Sequence, residues 1–416
     1  MSLVEKEVTQ NNVEQFKNRA EFQQRQETER KLVPVNPELF ESYRAIATPI
    51  EQVYLSKPGE EFSLRVRSAY TTEGVQYTAT LKDRGELVNG AVQRLEVETP
   101  ISQEAYEFYA AQHERFPVMK QLRSPIAPGM SIDFIEGLEH PIIEVDTNDA
   151  VEREVLLASL EGLAVDQTGN PELYKEHIAH SLAGTEKDLY TPEALEALGE
   201  RVAKDMIAQY VAGRNQVVAG LTGMSGSGKT TVTRAIQSQL TELLGDDYAP
   251  IVVSTDDYHR GKKWLEETYG APWTAWDDPR VYNTAELAAD LKALAGGESL
   301  IKRHFDFEKE ETVFDEEVQP SPFVIVEGLY AASKDLDDVR DLHYELPTGI
   351  ATSIGRDVRR LIIEDRANRA FPTPEARLQY QIESALPVHL EQRRQLRNGF
   401  NASARPMAQR AFMLHL

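Results

Sequence analysis

The chain has 416 residues, with 45 lysines and arginines against 68 aspartates and glutamates, a formal net charge of −23, and no cysteine. That length exceeds what one hydrophobic core usually serves and predicts two or three domains. The lack of cysteine excludes disulfides, thiolate zinc sites and thiol nucleophiles, and the acidic balance opposes extended contact with a phosphate backbone, so no nucleic acid partner is expected. With no run of about 18 apolar residues and a polar N-terminus, neither a membrane span nor a signal peptide is expected; the lack of cysteine fits a cytoplasmic location, which is the expectation.

In chain order, residues 1–24 read as a polar helical lead-in. The stretch "QETERKLV" follows, running directly into Pro34, which ends or forbids a helix. Alone it is either a frayed helix end or a strand with Glu27, Glu29 and Lys31 on one face. From about residue 27 to 147, short alternating runs ("VYLSK", "FSLRVRSAY", "VQYTATLKD", "AVQRLEVETP", "PIIEVDT") are separated by turn residues and read as strands. Their charges also alternate: Arg65 and Arg67; Lys82; Arg94, Glu96 and Glu98; Glu144 and Asp146; with Lys120 and Arg123 in "VMKQLRSP". Period-two spacing aims each group at one face. Either that face meets water, or the strands close into a barrel around it. A charged lumen suits a polyphosphate: Lys31, Arg65, Arg67, Lys82, Arg94, Lys120 and Arg123 would neutralise its oxygens. Glu27, Glu29, Glu96, Glu98, Glu144 and Asp146 would supply oxygen ligands to Mg²⁺ or Mn²⁺, whose bound water could attack phosphorus.

Over roughly residues 25–160 this constellation resembles the CYTH, or triphosphate tunnel metalloenzyme, family. Its E-x-E-x-K signature is met by Glu27, Glu29 and Lys31, its R-x-R by Arg65 and Arg67, its T-x-K by Thr80 and Lys82, and its R-x-E-x-E by Arg94, Glu96 and Glu98. Later K-x-x-R and E-x-[ED] elements fit Lys120, Arg123, Glu144 and Asp146; Thr28 stands where an apolar residue is more usual. The resemblance implies an antiparallel barrel, a divalent metal, and hydrolysis of tripolyphosphate, thiamine triphosphate or another triphosphate, or cyclisation of ATP. It makes "ETERK" the first tunnel strand, with Arg30 facing outward.

From about residue 150 the pattern turns helical, and Thr191-Pro192-Glu193 forms a cap and first turn for "ALEALGERVAKDMIAQYVAG". The strand "QVVAGLTG" opens an alternation of strands and helices typical of α/β domains. Gly223-Met224-Ser225-Gly226-Ser227-Gly228-Lys229-Thr230 satisfies G-x-x-x-x-G-K-[ST] between that strand and a helix. Backbone N–H groups of Gly223, Ser225, Gly226, Ser227 and Gly228, with Lys229, Thr230 and Thr231, would cradle the phosphates of ATP. Thr230 would hold Mg²⁺. "APIVVSTDDYH" delivers Asp256 and Asp257 to a strand's carboxyl end, where an aspartate can accept a hydroxyl proton, and "SPFVIVEGLY" delivers Glu327, a second candidate for Mg²⁺.

These segments, with "FDF", resemble the phosphoribulokinase/uridine kinase family over roughly residues 214–400. The resemblance implies Asp256 as base and "RRLIIEDRANR" as an arginine-rich lid helix in which Arg360 and Arg369 match and Glu364 departs. Trp276-Asp277-Asp278-Pro279 and Phe305-Asp306-Phe307-Glu308 depart from the family's nucleoside-reading motifs, so ATP is expected as donor while uridine is not fixed as acceptor. The expectation is thus a multidomain chain: a 25–165 antiparallel β-barrel tunnel domain, a 166–205 helical connector, and a 206–416 α/β P-loop kinase domain with a parallel sheet. Its partners are a small-molecule phosphoryl acceptor and a triphosphate or polyphosphate. The alternative is that only one half is catalytic and the other a nucleotide or polyphosphate sensor that regulates it.

Overall fold

The computed structural model describes residues 25–185, 194–306, 309–363 and 371–402. The lead-in of residues 1–24, the Thr191-Pro192-Glu193 cap, Phe307, Glu308, Glu364 and Arg369 lie outside the described residues. By contacts the chain divides into two compact units, one of residues 1–190 with 349–383 and one of residues 191–348 with 384–416.

The first unit is built on β1 (Gln26–Pro34), β2 (Thr48–Tyr54), β3 (Phe62–Thr71), β4 (Gly74–Asp83), β5 (Glu86–Val88), β6 (Ala91–Pro100), β7 (Val118–Ala127), β8 (Met130–Ile135), β9 (Ile142–Asp146) and β10 (Ala164–Asp166). Antiparallel pairings run β1-β9-β8-β7-β2-β3-β4-β6, and a β6–β1 pairing closes these eight strands into a barrel. The stretch opening with Gln26 is therefore a strand, and Pro34 ends it. Thr28 is buried there, and Arg30 points outward to Asp166 at 2.5 Å.

The barrel is inverted in polarity. Charged side chains alternate inward, while the outward residues of the same strands, such as Leu64, Val66, Leu95, Ile143 and Val145, are buried under surrounding segments. One such cover is the stretch Pro37–Ile46 with helix Ala150–Ser159, packed over Leu32, Ile132 and Ile143. Another is helix Ile350–Ile363, which lies against β3 and β4 with Gly355 on the Phe62 ring, while helix Pro374–Tyr380 lies on β6.

The second unit carries a four-stranded parallel sheet, β12 (Ile251–Ser254), β15 (Phe323–Gly328), β11 (Val217–Thr222) and β16 (Leu342–Glu345), in that order. β11 is buried throughout, which its continuous apolar run anticipates for a strand covered on both faces. Helices Leu195–Val211 and Lys229–Leu244 pack on one side through Leu198, Val202, Val232 and Ile236; Leu287 and Leu291 of helix Thr284–Ala295 pack on the other. β13 (Leu300–Asp306) and β14 (Glu311–Val318) form a separate antiparallel hairpin. Among the described residues no helix is long and apolar enough to cross a membrane.

Truncation after residue 205 would uncover the Phe62, Leu64 and Val66 face of β3. Each side chain so exposed forfeits about 1.5–3 kcal/mol. Compared with the intact chain, the fragment is expected to melt at lower temperature and bind a hydrophobic dye, as read by calorimetry and fluorescence.

Candidate functional site

The barrel encloses a cavity of about 190 Å³ lined by Glu27, Glu29, Lys31, Arg65, Arg67, Lys82, Arg94, Glu96, Glu98, Arg123, Glu144 and Asp146 among others. The strand registers explain the convergence. Glu27 lies opposite Arg94, Lys31 opposite Glu144, Lys82 opposite Glu96, and Thr80 opposite both Arg65 and Glu98. Lys82 Nζ contacts Glu27 at 2.5 Å and Glu96 at 3.3 Å; Arg94 contacts Glu27 at 2.6 Å and Glu29 at 2.5 Å. Lys31 contacts Glu144 at 2.6 Å and Glu29 at 3.1 Å. Burial works against ionisation of Glu27, but Lys82 and Arg94 outweigh it and hold the carboxyl well below its usual range.

The compensation is uneven, and the unevenness has two poles. The buried Nε atoms of Arg65 and Arg67 have no hydrogen-bond partner, although Arg67 reaches Glu98 at 3.3 Å through Nη2. Donors left unmatched in a cavity fit an anion. Asp146, whose surface is still exposed to solvent at the cavity, lies in the opposite imbalance: the crowding of protein atoms around it, then the charges of Glu27, Glu29 and Glu96, push its carboxyl up to about 7 against the opposing effect of Lys82. An excess of carboxylates fits a divalent cation. Among the described residues no three carboxylate or imidazole groups are arranged to hold a metal by themselves. Mg²⁺ commonly takes one or two carboxylates and completes its shell with phosphate oxygens, so the donor set suits a metal that arrives with its anion.

Lys120 does not join the cavity. It faces outward, 62% exposed, with Glu51 at 3.6 Å. Side chains three apart on a strand point to opposite faces, and β7 turns Arg123 inward instead. The place expected for Lys120 is taken by Lys175, from helix Lys175–Leu182, which contacts Asp133 at 2.5 Å and Glu144 at 2.9 Å. Burial first, then the like charge of Arg123, push its ammonium down to about 8. Asp133, fully buried, also accepts from Gln121 at 2.9 Å and Arg123 at 2.6 Å. A lone aspartate in the apolar run "SIDFI" was the sequence signal for it; a helix-borne lysine has no period-two signature. Arg84 and Glu176 also line the cavity, paired at 2.7 Å.

In the second unit the phosphate-loop residues sit between β11 and the helix that starts at Lys229. Gly226 and Gly228 have φ of 77° and 93°, a region favouring glycine, and a Cβ on Gly223 would strike the Ser227 hydroxyl. Lys229 Nζ donates to the carbonyls of Gly223 at 3.0 Å and Met224 at 3.1 Å. Ser225 and Thr230 are exposed and Thr231 half-buried. The sheet brings the two carboxylates alongside: Glu327 on β15 is level with Leu221 of β11 and with Ser254 of β12, two residues before Asp256. Burial, then Glu327, Asp277 and Asp257, push the Asp256 carboxyl up to about 6 against the pull of Lys229. Next to it, the His259 ring packs tilted against Phe305 at 4.2 Å and stacks with Trp276 at 6.0 Å, and burial pushes its imidazole down to about 4. Arg360 is an exposed residue of helix Ile350–Ile363.

Residues 218–381 match the family model for the phosphoribulokinase/uridine kinase family. The uridine kinase of Alkaliphilus metalliredigens is 31% identical over 179 residues, covering 42% of this chain and 80% of that protein. The inorganic pyrophosphatase TTM2 of Arabidopsis thaliana is 27% identical over 175 residues, 42% of this chain but 23% of its own length. A solved structure described as the putative adenylyl cyclase HpAC1 from Hippeastrum, with a dominant triphosphatase activity, is similar at 16% identity and a TM-score of 0.29, covering 36% of this chain and 95% of that one.

The geometry separates two cations that the sequence grouped together. Arg123→Ala is expected to weaken tripolyphosphate binding at least ten-fold, in the range of about 1.5–3 kcal/mol for a charged hydrogen bond. Lys120→Ala is expected to leave it within two-fold. Titration calorimetry on both variants checks the pair.

Proposed function

This chain belongs to the phosphoribulokinase/uridine kinase family, and from that premise we propose that its P-loop unit transfers the γ-phosphoryl group of ATP to a hydroxyl of a small molecule, while its barrel binds and hydrolyses a triphosphate. The observation that supports the kinase half best is the alignment of the phosphate loop, Asp256 and Glu327 at the carboxyl ends of three adjacent parallel strands. In this reading the loop N–H groups and Lys229 orient the phosphates, and Thr230 and Glu327 hold Mg²⁺. Asp256 accepts the proton of the acceptor hydroxyl as the oxygen–phosphorus bond forms and ADP leaves. Mg²⁺ supplies neutralisation of the phosphate oxygens. Positioning does most of the remaining chemistry.

In the tunnel, Arg65 and Arg67 offer unmatched donors to the anion, and Lys31, Lys82, Arg94, Arg123 and Lys175 exchange carboxylate partners for phosphate oxygens. Glu27, Glu29 and Asp146, with Glu96, Glu98 and Glu144 nearby, are the candidate ligands for Mg²⁺ or Mn²⁺, which supplies a polarised phosphorus and an activated water. We assign function by motif, with the tunnel in residues 25–165, a connector in 166–205 and the kinase in 206–416. A second reading, in which the tunnel only senses a polyphosphate, is favoured by one observation: Glu27, Glu29 and Glu144 are all engaged by lysine or arginine. Release of orthophosphate from tripolyphosphate decides between the two, with hydrolysis abolished by Glu27→Gln plus Glu29→Gln expected for an active tunnel and no turnover expected for a sensor.

For the kinase half, Lys229→Ala is expected to lower ATP-dependent phosphoryl transfer by about 10²–10³-fold. Because Asp256 must be ionised to take a proton, kcat/KM for the acceptor is expected to fall as pH drops through about 6. That limb should be lost in Asp256→Asn, whose residual rate would be independent of pH in this range. An unbiased panel of hydroxyl-bearing metabolites with labelled ATP supplies the acceptor for the assay.

A further inference from the structure

The family match runs from residue 218 to 381, yet residues 349–381 of that span belong by their contacts to the barrel unit. The chain passes from one unit to the other at Thr348–Gly349, and both sides of that peptide bond are tied to a site. On one side, the Thr348 hydroxyl donates to the carbonyl of Ser227, in the phosphate loop, at 2.6 Å. On the other, a Cβ on Gly349 would fall onto the Glu60 carboxylate, so a larger residue there would have to displace that side chain. Glu60, itself buried, accepts from the Thr352 N–H at 2.9 Å, and the Glu61 N–H donates to the Thr352 hydroxyl at 3.1 Å. Arg356 forks onto the Glu61 carboxylate, with Nε at 2.9 Å. Gly355 packs on Phe62, and Arg359 lies over the same ring at 5.4 Å.

These anchors lead straight to the cavity. Phe62 is the first residue of β3, whose Ser63, Arg65 and Arg67 line the tunnel. Arg84, also in the lining, donates to the Glu60 carbonyl and to Glu176. A change in how Arg65, Arg67 or Arg84 is engaged therefore acts on the same short stretch that holds residues 349–356.

Resting on the functional reading above, we infer that the tunnel and the phosphate loop are coupled through the Glu60–Phe62 anchor and the Thr348–Gly349 junction, so that a triphosphate in the tunnel changes the affinity of the phosphate loop for nucleotide. Coupling of this kind is reciprocal: the nucleotide changes triphosphate affinity by the same factor. The effect requires no ligand common to the two sites, only two arrangements of residues 349–356 that each ligand favours unequally.

The test uses the intact protein, tripolyphosphate with Mg²⁺, and a fluorescent non-hydrolysable ATP analogue. The analogue signal is assigned to the phosphate loop by its loss in Lys229→Ala, and tripolyphosphate heat to the tunnel by its loss in Arg65→Ala plus Arg67→Ala. Saturating tripolyphosphate is expected to shift the analogue's Kd about five-fold or more, with the matching reciprocal shift. Arg356→Ala, and separately Glu60→Gln, are expected to bring that factor towards one while each ligand alone binds within two-fold of normal. Both ligands binding with a factor of one would overturn the coupling and leave the functional reading standing. An undiminished factor in both variants would also overturn it. Failure of either ligand to bind its assigned site would overturn the functional reading and the coupling together.

Discussion

Everything in the barrel unit depends on the mutual neutralisation of charges inside a closed sheet. Taking an isolated carboxylate or ammonium out of water is expensive, and removing one partner of a buried pair typically costs about 3–5 kcal/mol. Glu27, Glu29, Lys31, Lys82, Arg94, Arg123, Asp133, Glu144 and Lys175 escape that penalty because each contacts at least one opposite charge. The strand registers are therefore chemically specified. A slip of one residue on β1 would send Glu27, Glu29 and Lys31 into the apolar outer layer and turn Thr28, Arg30 and Leu32 inward. The apolar cover outside and the ion-pair network inside enforce the same register, so fold and site are one constraint.

In the function we propose, such a network is also a poised binding site. A metal-bound polyphosphate brings both signs of charge, and each cation and carboxylate can trade an internal partner for an external one without any charge left bare. The two places where compensation already fails, the Arg65 and Arg67 donors and the Asp146 carboxyl, mark where the anion and the cation fit most readily. The P-loop unit solves its problem differently. It spends few charges and relies on backbone: left-handed glycines at 226 and 228 curl the loop, and the parallel sheet sets Glu327 and Asp256 beside it.

Much of this was legible in the sequence, for reasons that also explain what was not. β1 could be read as a strand only because five later segments repeat its alternation; its own eight residues allowed a helix end. Period-two spacing then placed Arg65, Arg67, Lys82, Arg94, Glu96, Glu144 and Asp146 on one face correctly, since a strand has no other way to present them. Lys120 was grouped with Arg123 among the inward charges, yet the two are three residues apart, and period-two spacing applied strictly puts Lys120 outside. Lys175 reaches the lumen from a helix packed against β7, a tertiary fact that no local pattern encodes. Nor could the sequence show that helix Ile350–Ile363 covers β3. Amphipathic periodicity reveals that a helix has a buried face, not which surface buries it.

The most direct test of the tunnel's role is a crystal structure of the intact protein grown with tripolyphosphate and Mn²⁺, with the metal located by its anomalous signal. A tunnel that holds metal and triphosphate predicts Mn²⁺ against Glu27, Glu29 or Asp146, with phosphate oxygens on Arg65 and Arg67 and with Lys82 or Arg94 turned from carboxylate to phosphate. Finding the anion only outside the barrel, with the internal ion pairs unchanged, would contradict it.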